Sequence, residues 1–322
     1  MKILIVRNDR LGDFITALPA CYLLKSLDAS HRITLLVAKM NEPLARACDF
    51  IDDVIVDEGE SLFMLAEKIR KEQFDCSFTL FSDMRVALAQ FLARIPVRYA
   101  PATKIAQILY TDRIVQRRSA VKMAEYEYNI ALVRSRFNDL PHHIPTPLLH
   151  LRNDDYFQAF CRRYAIEKPV IALHPGYGGS SDANLTMREY FQLARIIAQS
   201  GRYTPVFTFG PGDERFLQEA KEHNTHNYLL YESTNGLIAF ASLLAHFALF
   251  ISTSTGTYHL AALVGTPTMT FFGDSLFASV KRWRAVSDIS LQHPFMLPTD
   301  EQKRSEKFLE IQQSLQRITA SI

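Results

Sequence analysis

An acidic residue near the amino terminus is the first candidate for catalysis. Asp13 follows a short apolar run, 3–6, and the loop 7–12. We expect it in the first turn of a helix at the rim of a cleft. There a carboxylate can take a proton from an incoming hydroxyl, and the helix dipole favours its ionised form. Capping of the helix by Asp13 is the alternative.

The same loop contains two arginines, Arg7 and Arg10, on either side of Asp9. Guanidinium groups bind phosphate, so both arginines are candidates for contact with an anionic acceptor. Simple exposure to solvent is the alternative for each. Asp9 is expected in the loop or in a salt bridge.

A glycine-rich segment, 174–181, directly follows another apolar run. Its three glycines leave backbone donors accessible, and Ser180 and Ser181 add two hydroxyls, which together could hold a diphosphate. The segment matches neither G-x-G-x-x-G nor a Walker loop, so a purely structural turn remains the alternative.

Two further turns place polar groups at the start of predicted helices. In one, Thr255 and Gly256 offer a hydroxyl and amides that stabilise a departing phosphate, and His259 either reaches that phosphate or packs internally. In the other, Glu214 either accepts both hydroxyls of a ribose or caps its helix.

Metal-binding residues are not clustered along the chain. There is no D-x-D pair, and the ten histidines form no ligand-spaced group beyond His142 and His143. We therefore expect no obligatory metal or other cofactor, with the protein's own donors stabilising a leaving group. Four cysteines without a C-x-x-C pair predict neither a zinc site nor a disulfide framework.

Apolar runs alternate with segments of helical period, which is typical of parallel strands joined by crossover helices. In the first half we predict a helix over 12–27 and strands at 3–6, 33–37, 54–56 and 78–81. In the second half we predict helices near 187–200, 212–223, 236–247 and 256–264 and strands at 170–174, 205–210, 228–231, 249–253 and 268–272.

The glycines distinguish the two halves. Ten of the twelve lie between Gly176 and Gly273, several where a strand should end, so the second half is expected to bind nucleotide. We predict an α/β protein of two Rossmann-like lobes, with an acceptor lobe over 1–155 and a donor lobe over 156–322. The C-terminal helix is a candidate to pack back on the first lobe.

Composition limits the classes of partner. The chain has 322 residues, 48% hydrophobic and 22% charged, and a net charge of +2, which argues against disorder and against a surface built for nucleic acid. The first apolar run is too short for a signal peptide, and 236–251 is too short for a bilayer span of about 20 residues. A cytoplasmic protein is expected.

One stretch is strongly basic: residues 94–136 hold nine Lys and Arg against three acidic residues. Such a stretch could meet an anionic acceptor or an anionic membrane face, and its association with lipid would weaken with salt. Solvated helix faces are the alternative.

The ordered set of motifs resembles glycosyltransferase family 9, the heptosyltransferases of lipopolysaccharide core assembly. The resemblance rests on 7–13 with the following Ala-Leu-Pro-Ala, on 174–176, on 210–214, on 254–256 with His259, and on 265–267. It implies a GT-B fold, with two Rossmann-like lobes facing across a cleft.

The resemblance also implies an inverting, metal-independent transfer from an ADP-heptose type of donor to a lipid-linked core acceptor. By position, Asp13 resembles the base and Glu214 the ribose contact. The diphosphate contacts by position are Ser180, Ser181, Thr255, Gly256 and His259. The enzyme is then expected at the inner face of the cytoplasmic membrane, as a peripheral protein.

Two positions depart from the family pattern. Ala183, beside Asn184, stands where many members have lysine, and Ser254 stands where aspartate is common. Both positions are expected near the donor sugar, so the donor could differ from the usual heptose. We expect a glycosyltransferase; the alternatives are a nucleotide-sugar epimerase of the same fold and a non-catalytic homologue that binds nucleotide or lipid.

Overall fold

A computed structural model of the protein describes residues 1–103, 105–177 and 183–321. It consists of two compact units, Met1–Pro145 and Thr146–Ile322. Each unit is built around one six-stranded sheet in which the paired strands are parallel.

The first unit has the sheet order β3-β2-β1-β4-β5-β6. Its strands are β1 (Lys2–Val6), β2 (Arg32–Ala38), β3 (Asp53–Asp57), β4 (Cys76–Thr79), β5 (Val97–Pro101) and β6 (Asp112–Ile114). Its helices are α1 (Leu11–Ile15), α2 (Leu18–Leu27), α3 (Glu42–Arg46), α4 (Leu62–Glu72), α5 (Met84–Leu92) and α6 (Glu125–Arg134), with short 3₁₀ helices at Lys39–Asn41, Ile105–Leu109 and Arg118–Ala120.

The central strand β1 shows why this unit folds as it does. It pairs with β2 on one side and with β4 on the other, so that Ile5 lies opposite both Leu35 and Phe78. All three side chains are fully buried. Strands of a parallel sheet are covered by helices on both faces, which is why they form continuous apolar runs.

The helix predicted over 12–27 is interrupted. α1 ends at Ile15 and α2 begins at Leu18, with Pro19 in the first turn of α2. Proline lacks an N–H, and its ring would clash with the carbonyl of residue 15 in a continuous helix. The prediction of one helix is therefore wrong at this point, and the break separates a short α1 that carries Asp13 from the longer α2.

The second unit has the sheet order β12-β11-β10-β7-β8-β9. Its strands are β7 (Val170–His174), β8 (Thr204–Phe209), β9 (Leu229–Glu232), β10 (Leu249–Thr253), β11 (Thr268–Gly273) and β12 (Gln292–Leu297). Its helices are α7 (Asp154–Tyr164), α8 (Met187–Gln199), α9 (Glu214–His223), α10 (Leu237–Leu244), α11 (Gly256–Leu263), α12 (Val280–Trp283) and α13 (Glu301–Ser321), with a 3₁₀ helix at Ile289–Leu291.

Both sheets have the Rossmann strand order. Numbered along its own unit, each runs 3-2-1-4-5-6. Ligands of such sheets bind at the carboxyl ends of the strands, where the order reverses. That point lies between β1 and β4 in the first unit and between β7 and β10 in the second. The predicted α/β class, with two Rossmann-like lobes, is confirmed.

The boundary between the two units lies earlier in the chain than the predicted division. The predicted division after residue 155 falls inside α7, and residues 146–155 belong to the second unit. The C-terminal helix α13 packs on α8, and its Ile311 and Leu315 are buried in the core of the second unit.

The apolar segment 236–251 forms α10 followed by β10. This agrees with its interpretation as a buried helix that leads into a strand. In the described part of the chain, no helix combines the length and the apolar character of a membrane span.

Candidate active site

Asp13 lies in the first turn of α1, just beyond the carboxyl end of β1. Its side chain is 26% exposed, and its Oδ1 accepts a hydrogen bond of 2.6 Å from Nη2 of Arg7. No side-chain hydrogen bond caps α1. The carboxylate of Asp13 is therefore an ion-pair partner at an accessible position and not a helix cap.

Arg7 connects three carboxylates. Its side chain is only 3% exposed; Nε donates to Asp9 at 2.9 Å, and Nη1 lies 3.6 Å from Oε1 of Glu125. Nη1 also donates to the carbonyl of Leu80 at 3.4 Å. The planar guanidinium is suited to several acceptors at fixed angles. The expectation that Arg7 binds an acceptor phosphate is thus not supported, because its donors face internal groups.

Behind Arg7, polar groups from α6 complete the network. Glu125 is itself ion-paired with Arg118, which also donates to Oδ1 of Asn129 at 3.3 Å. The amide of Asn129 donates to the hydroxyl oxygen of Thr16 at 3.0 Å, and that hydroxyl donates to the carbonyl of Asp13 at 2.6 Å. Both the side chain and the backbone of Asp13 are therefore held in place.

Burial and charge act in opposite directions in this network. Burial raises the pKa of Asp9 to about 6, although the neighbouring Arg7 lowers it. Burial alone would lower the pKa of Arg7, but the charges of Asp9, Asp13 and Glu125 raise it above its ordinary value. Arg7 therefore stays charged, while the pKa of Asp9 lies above that of an ordinary aspartate.

Arg10, by contrast, is exposed at the start of α1. It remains a predicted acceptor contact. The loop that carries it is fixed by its neighbours, since Asn8 donates to Asp57 at 2.7 Å and Asn41 donates to the carbonyl of Asp9 at 2.9 Å.

In the second unit, the predicted phosphate turn lies between β10 and α11. Thr255 occupies the N-cap position of α11, and Gly256 is its first residue. The hydroxyl of Thr255 lies 2.8 Å from that of Thr257 and makes no capping bond, so among the described residues the N-cap side chain leaves the first amides of α11 uncapped. An uncapped helix start is a suitable anion site because its N–H groups point along the axis.

His259 lies one turn into α11 and is 4% exposed. Its ring is 4.8 Å from that of Tyr258 and 6.4 Å from that of Trp283. Burial lowers the pKa of His259 to about 4. Its buried Nδ1 has no hydrogen-bond partner in the described structure, which is unusual for a purely structural histidine.

The predicted diphosphate loop begins at His174, which is buried at the end of β7. Its Nδ1 lies 3.1 Å from the hydroxyl of Thr208, and its Nε2 lies 3.6 Å from Asp213. Burial lowers the pKa of His174, against the opposing charge of Asp213. A Cβ at Gly176 would overlap the carboxylate of Asp213, so a larger residue here would force that side chain to move.

The sequence pattern pointed to Glu214 and not to its neighbour Asp213. Asp213 is 8% exposed and accepts a 2.8 Å hydrogen bond from the amide of Gly210. Glu214 is exposed in the first turn of α9 and accepts from the amide of Gly212 at 3.1 Å. Its hydrogen bonds to the backbone lower the pKa of Glu214. The bond from Gly212 joins Glu214 to the turn before α9, and both the capping role and ribose binding by Glu214 remain predictions.

The residues expected near the donor sugar have mixed environments. Asn184 donates to the carbonyl of Pro175 at 2.8 Å and accepts from Tyr190 at 2.8 Å, so its amide holds the loop together. The carbonyl of Ala183 accepts from Thr253. Ser254 is half-buried, and its backbone amide donates a hydrogen bond of 2.9 Å to the carbonyl of Phe271. The predicted diphosphate contacts Ser180 and Ser181 lie outside the described residues.

A pocket of about 240 Å³ opens beside these residues. Asn184 and Ala183 form one part of its wall. The rings of Tyr177 and Phe216, 5.2 Å apart, form another, and Glu219 adds a carboxylate. Aromatic side chains next to a few polar groups are typical of small-molecule sites.

No group of three or more His, Cys, Asp or Glu side chains in the described residues could hold a metal ion. At the start of α11, the described groups that could meet a negative charge are backbone amides, hydroxyls and the imidazole of His259.

Two Rossmann-like sheets with polar turns at the carboxyl ends of their strands place the chain in a class of α/β folds that bind nucleotides. Residues 62–309 match the family model described as glycosyltransferase family 9 (heptosyltransferase). The chain belongs to this family, as the motifs predicted, and it is a glycosyltransferase. Family membership decides against the epimerase alternative.

Similar proteins agree with this assignment. The chain is 34% identical over 96% of its length to a putative glycosyltransferase of Haemophilus influenzae, of which 92% is covered. It is 23% identical over 88% of its length to lipooligosaccharide heptosyltransferase 2 of Campylobacter jejuni, with 84% of that protein covered. The solved E. coli ADP-heptose lps heptosyltransferase II shares the fold, with a TM-score of 0.80, 19% identity and coverage of 98% and 100%.

Proposed function

We propose that the protein transfers a heptose or a related sugar, with inversion, from an ADP-linked donor to a hydroxyl of a lipopolysaccharide or lipooligosaccharide core. The observation that carries the proposal is Asp13, an accessible carboxylate held from behind by a buried arginine. The names of the similar heptosyltransferases support the substrate class.

In the proposed reaction, Asp13 takes the proton of the acceptor hydroxyl as its oxygen attacks the anomeric carbon. The new carbon–oxygen bond forms on the face opposite the bond to the diphosphate, which breaks at the same time. The electron pair of that bond leaves with the nucleoside diphosphate. One base is sufficient for this displacement, and inversion follows from attack on the opposite face.

The departing diphosphate gains charge, and the start of α11 is the group we propose to stabilise it. The uncapped amides at Gly256 and the hydroxyl of Thr255 are donors positioned before the charge develops. His259 would add a hydrogen bond from its neutral ring. We propose that no metal is required, and addition of EDTA should leave turnover unchanged.

Two side chains bear on the choice of donor. Ala183 lines the 240 Å³ pocket, and Ser254 precedes the N-cap of α11. A cation and an anion common in the family are both missing from these positions, so we propose a donor sugar that is recognised by neutral groups. A thermal-shift screen of nucleotide sugars tests this, because ligands raise the melting temperature by mass action.

The proposed place of action is the cytoplasmic face of the inner membrane, with the enzyme attached peripherally. The acceptor is then a lipid-linked, anionic oligosaccharide, and nucleic acid is not expected as a partner.

The decisive experiment replaces Asp13 by Asn and measures transfer and ADP binding. We expect transfer to fall roughly a hundredfold or more while ADP affinity changes only a few fold, because the base acts on the acceptor. Asp49→Asn, which removes an exposed carboxylate from the same unit, is the matched control. Full turnover by Asp13→Asn would remove Asp13 from the mechanism.

A further inference from the structure

Two isoleucines project from a short 3₁₀ helix of the first unit. Ile105 and Ile108 are 72% and 68% exposed in the helix Ile105–Leu109. A 3₁₀ helix has three residues per turn, so side chains three apart lie on the same face. The two isoleucines therefore form one outward apolar face.

The opposite face of this helix is anchored. Ala106 and Tyr110 are buried against Ala87 of α5 and Ala100 of β5. The hydroxyl of Tyr110 lies 2.8 Å from that of Ser82. Because the inner face is packed, Ile105 and Ile108 cannot turn inward without breaking this cluster.

Exposed apolar side chains also flank this helix on both sides. Near the last residue of the helix, Arg98 donates to the carbonyl of Leu109 at 2.9 Å. The guanidinium of Arg98 also lies 5.6 Å from the ring of Phe91, which is 51% exposed. On the other side, the amide of Ala102 donates to the carbonyl of Ile114 at 2.8 Å, next to Val115 at 76% exposure.

We call Phe91, Ile105, Ile108 and Val115 the apolar ridge. The 3₁₀ helix and α5 both start at the carboxyl end of the sheet and run towards its other end, which places Val115 and Phe91 at opposite ends of the ridge. Exposed large apolar side chains that adjoin one another mark an interaction surface more often than single ones do.

Cations accompany the ridge. Arg113, Val115 and Arg117 are exposed and alternate with less exposed residues, as side chains on one face of an extended chain do. Arg94 is exposed just after α5. Other basic residues of this stretch serve internal contacts, among them Arg98 and Arg118. Lys104 lies outside the described residues.

We propose that the apolar ridge inserts into the headgroup region of an anionic lipid bilayer, with Arg94, Arg113 and Arg117 on the lipid phosphates. Charge complementarity favours a bilayer, because an anionic membrane has negatively charged headgroups over an apolar interior. Exposed arginines beside apolar side chains can bind both layers. The inference rests on the peripheral attachment proposed above and assigns it to particular side chains.

The test is flotation of the full chain with vesicles of phosphatidylglycerol and phosphatidylethanolamine. We expect the double variant Ile105→Ser, Ile108→Ser to bind vesicles at least about tenfold more weakly, because membrane affinity increases with the apolar area that is buried. Ile289→Ser is the matched control, because Ile289 is an 81% exposed isoleucine in a 3₁₀ helix of the second unit. It should bind like the wild type.

A second variant tests the cations. Arg113→Ser with Arg117→Ser should lower binding and flatten its dependence on salt, while neutral phosphatidylcholine vesicles should bind all forms weakly. Transfer to a water-soluble acceptor should be unchanged in both double variants, which separates this surface from the proposed reaction.

Three outcomes would overturn the inference. If the wild-type protein does not bind anionic vesicles, the proposed role of the ridge and the proposed peripheral attachment are both wrong. The reaction proposed for Asp13 does not depend on that result, because the transfer activity of Asp13→Asn tests it independently. If the isoleucine double variant binds vesicles as well as the wild type does, only the proposed role of the ridge is wrong. If the wild type self-associates and the double variant does not, while both bind vesicles equally, the apolar ridge binds a second copy of the chain and not a bilayer.

Discussion

Nη2 of Arg7 lies 2.6 Å from Oδ1 of Asp13, although the arginine side chain is 3% exposed and the carboxylate 26%. The pair thus joins a buried cation to an accessible anion. Because Glu125 and Asp9 hold the same guanidinium, the position of Asp13 depends on residues that no substrate needs to touch.

Arg7→Lys tests this dependence. Lysine carries one compact charge and cannot engage three carboxylates in fixed directions, so Asp13 should lose its orientation. We expect kcat to fall by about tenfold to a hundredfold with little change in ADP affinity, and the protein to lose about 1–3 kcal/mol of stability as hydrogen bonds to the carboxylates are lost.

The matched control for this change is Arg32→Lys, an exposed arginine at the start of β2. Steady-state kinetics and urea unfolding should show wild-type behaviour for it. An Arg7→Lys enzyme with wild-type kcat would show that Asp13 needs no such support.

Asp9 gives a prediction about pH. Its pKa is raised from 3.8 to about 6, so the folded chain binds more protons than the unfolded chain between these values. The free energy of unfolding must then fall as pH rises through this window. Relative to the wild type, Asp9→Asn should gain about 1–3 kcal/mol between pH 4 and 7.

Urea unfolding at several pH values measures this difference. Asp49→Asn provides the comparison, since it removes an exposed carboxylate without a buried partner. Parallel curves for the wild type and Asp9→Asn would contradict the shift.

The central elements of both sheets could be predicted from sequence because their apolar runs are continuous. Edge strands β3 and β9 were also predicted, but β5 and the other two edge strands, β6 and β12, were not. β6 has three residues, two of them charged, and β12 contains Pro294. Proline is tolerated at an edge because one side of the strand needs no ladder hydrogen bonds, but the same residue argues against a strand when only the sequence is known.

For the site, spacing placed Asp13 correctly in a first helical turn. It could not assign Arg7, whose partner Glu125 is distant in sequence and belongs to α6. Nor could it separate Asp213 from Glu214. The two acids are adjacent, and only the packing of Gly176 against Asp213 shows which of them is buried.

Gly176 provides the third prediction. In Gly176→Ala the new Cβ would overlap the carboxylate of Asp213, which must move and release the amide of Gly210. We expect a loss of about 1–3 kcal/mol of stability and weaker nucleotide binding, because the loop after β7 shifts. Thermal unfolding and ADP titration measure the two effects.

Gly210→Ala is the matched control, since its Cβ would lie 3.6 Å from the same carboxylate, an ordinary contact. It should be nearly neutral in both measurements. Equal effects of the two substitutions would show that crowding of Asp213 is not the cause.

His259 provides the last prediction, which concerns protons. Its pKa is lowered to about 4 by burial, so the ring is neutral at pH 7. A diphosphate bound at the start of α11 would favour the charged ring and raise this pKa. ADP binding should then take up protons below neutral pH, and affinity should rise as pH falls between the bound and free pKa values.

Calorimetry in buffers of different ionisation enthalpy measures this uptake near pH 6. His259→Gln should remove the part due to the ring and weaken ADP binding by about tenfold, whereas His226→Gln, at an exposed position, should change neither. Because protonation of ADP itself contributes equally in all three proteins, the difference between them isolates His259. If His259→Gln takes up as many protons as the wild type, the imidazole lies away from the diphosphate, and the amides of α11 alone must meet its charge.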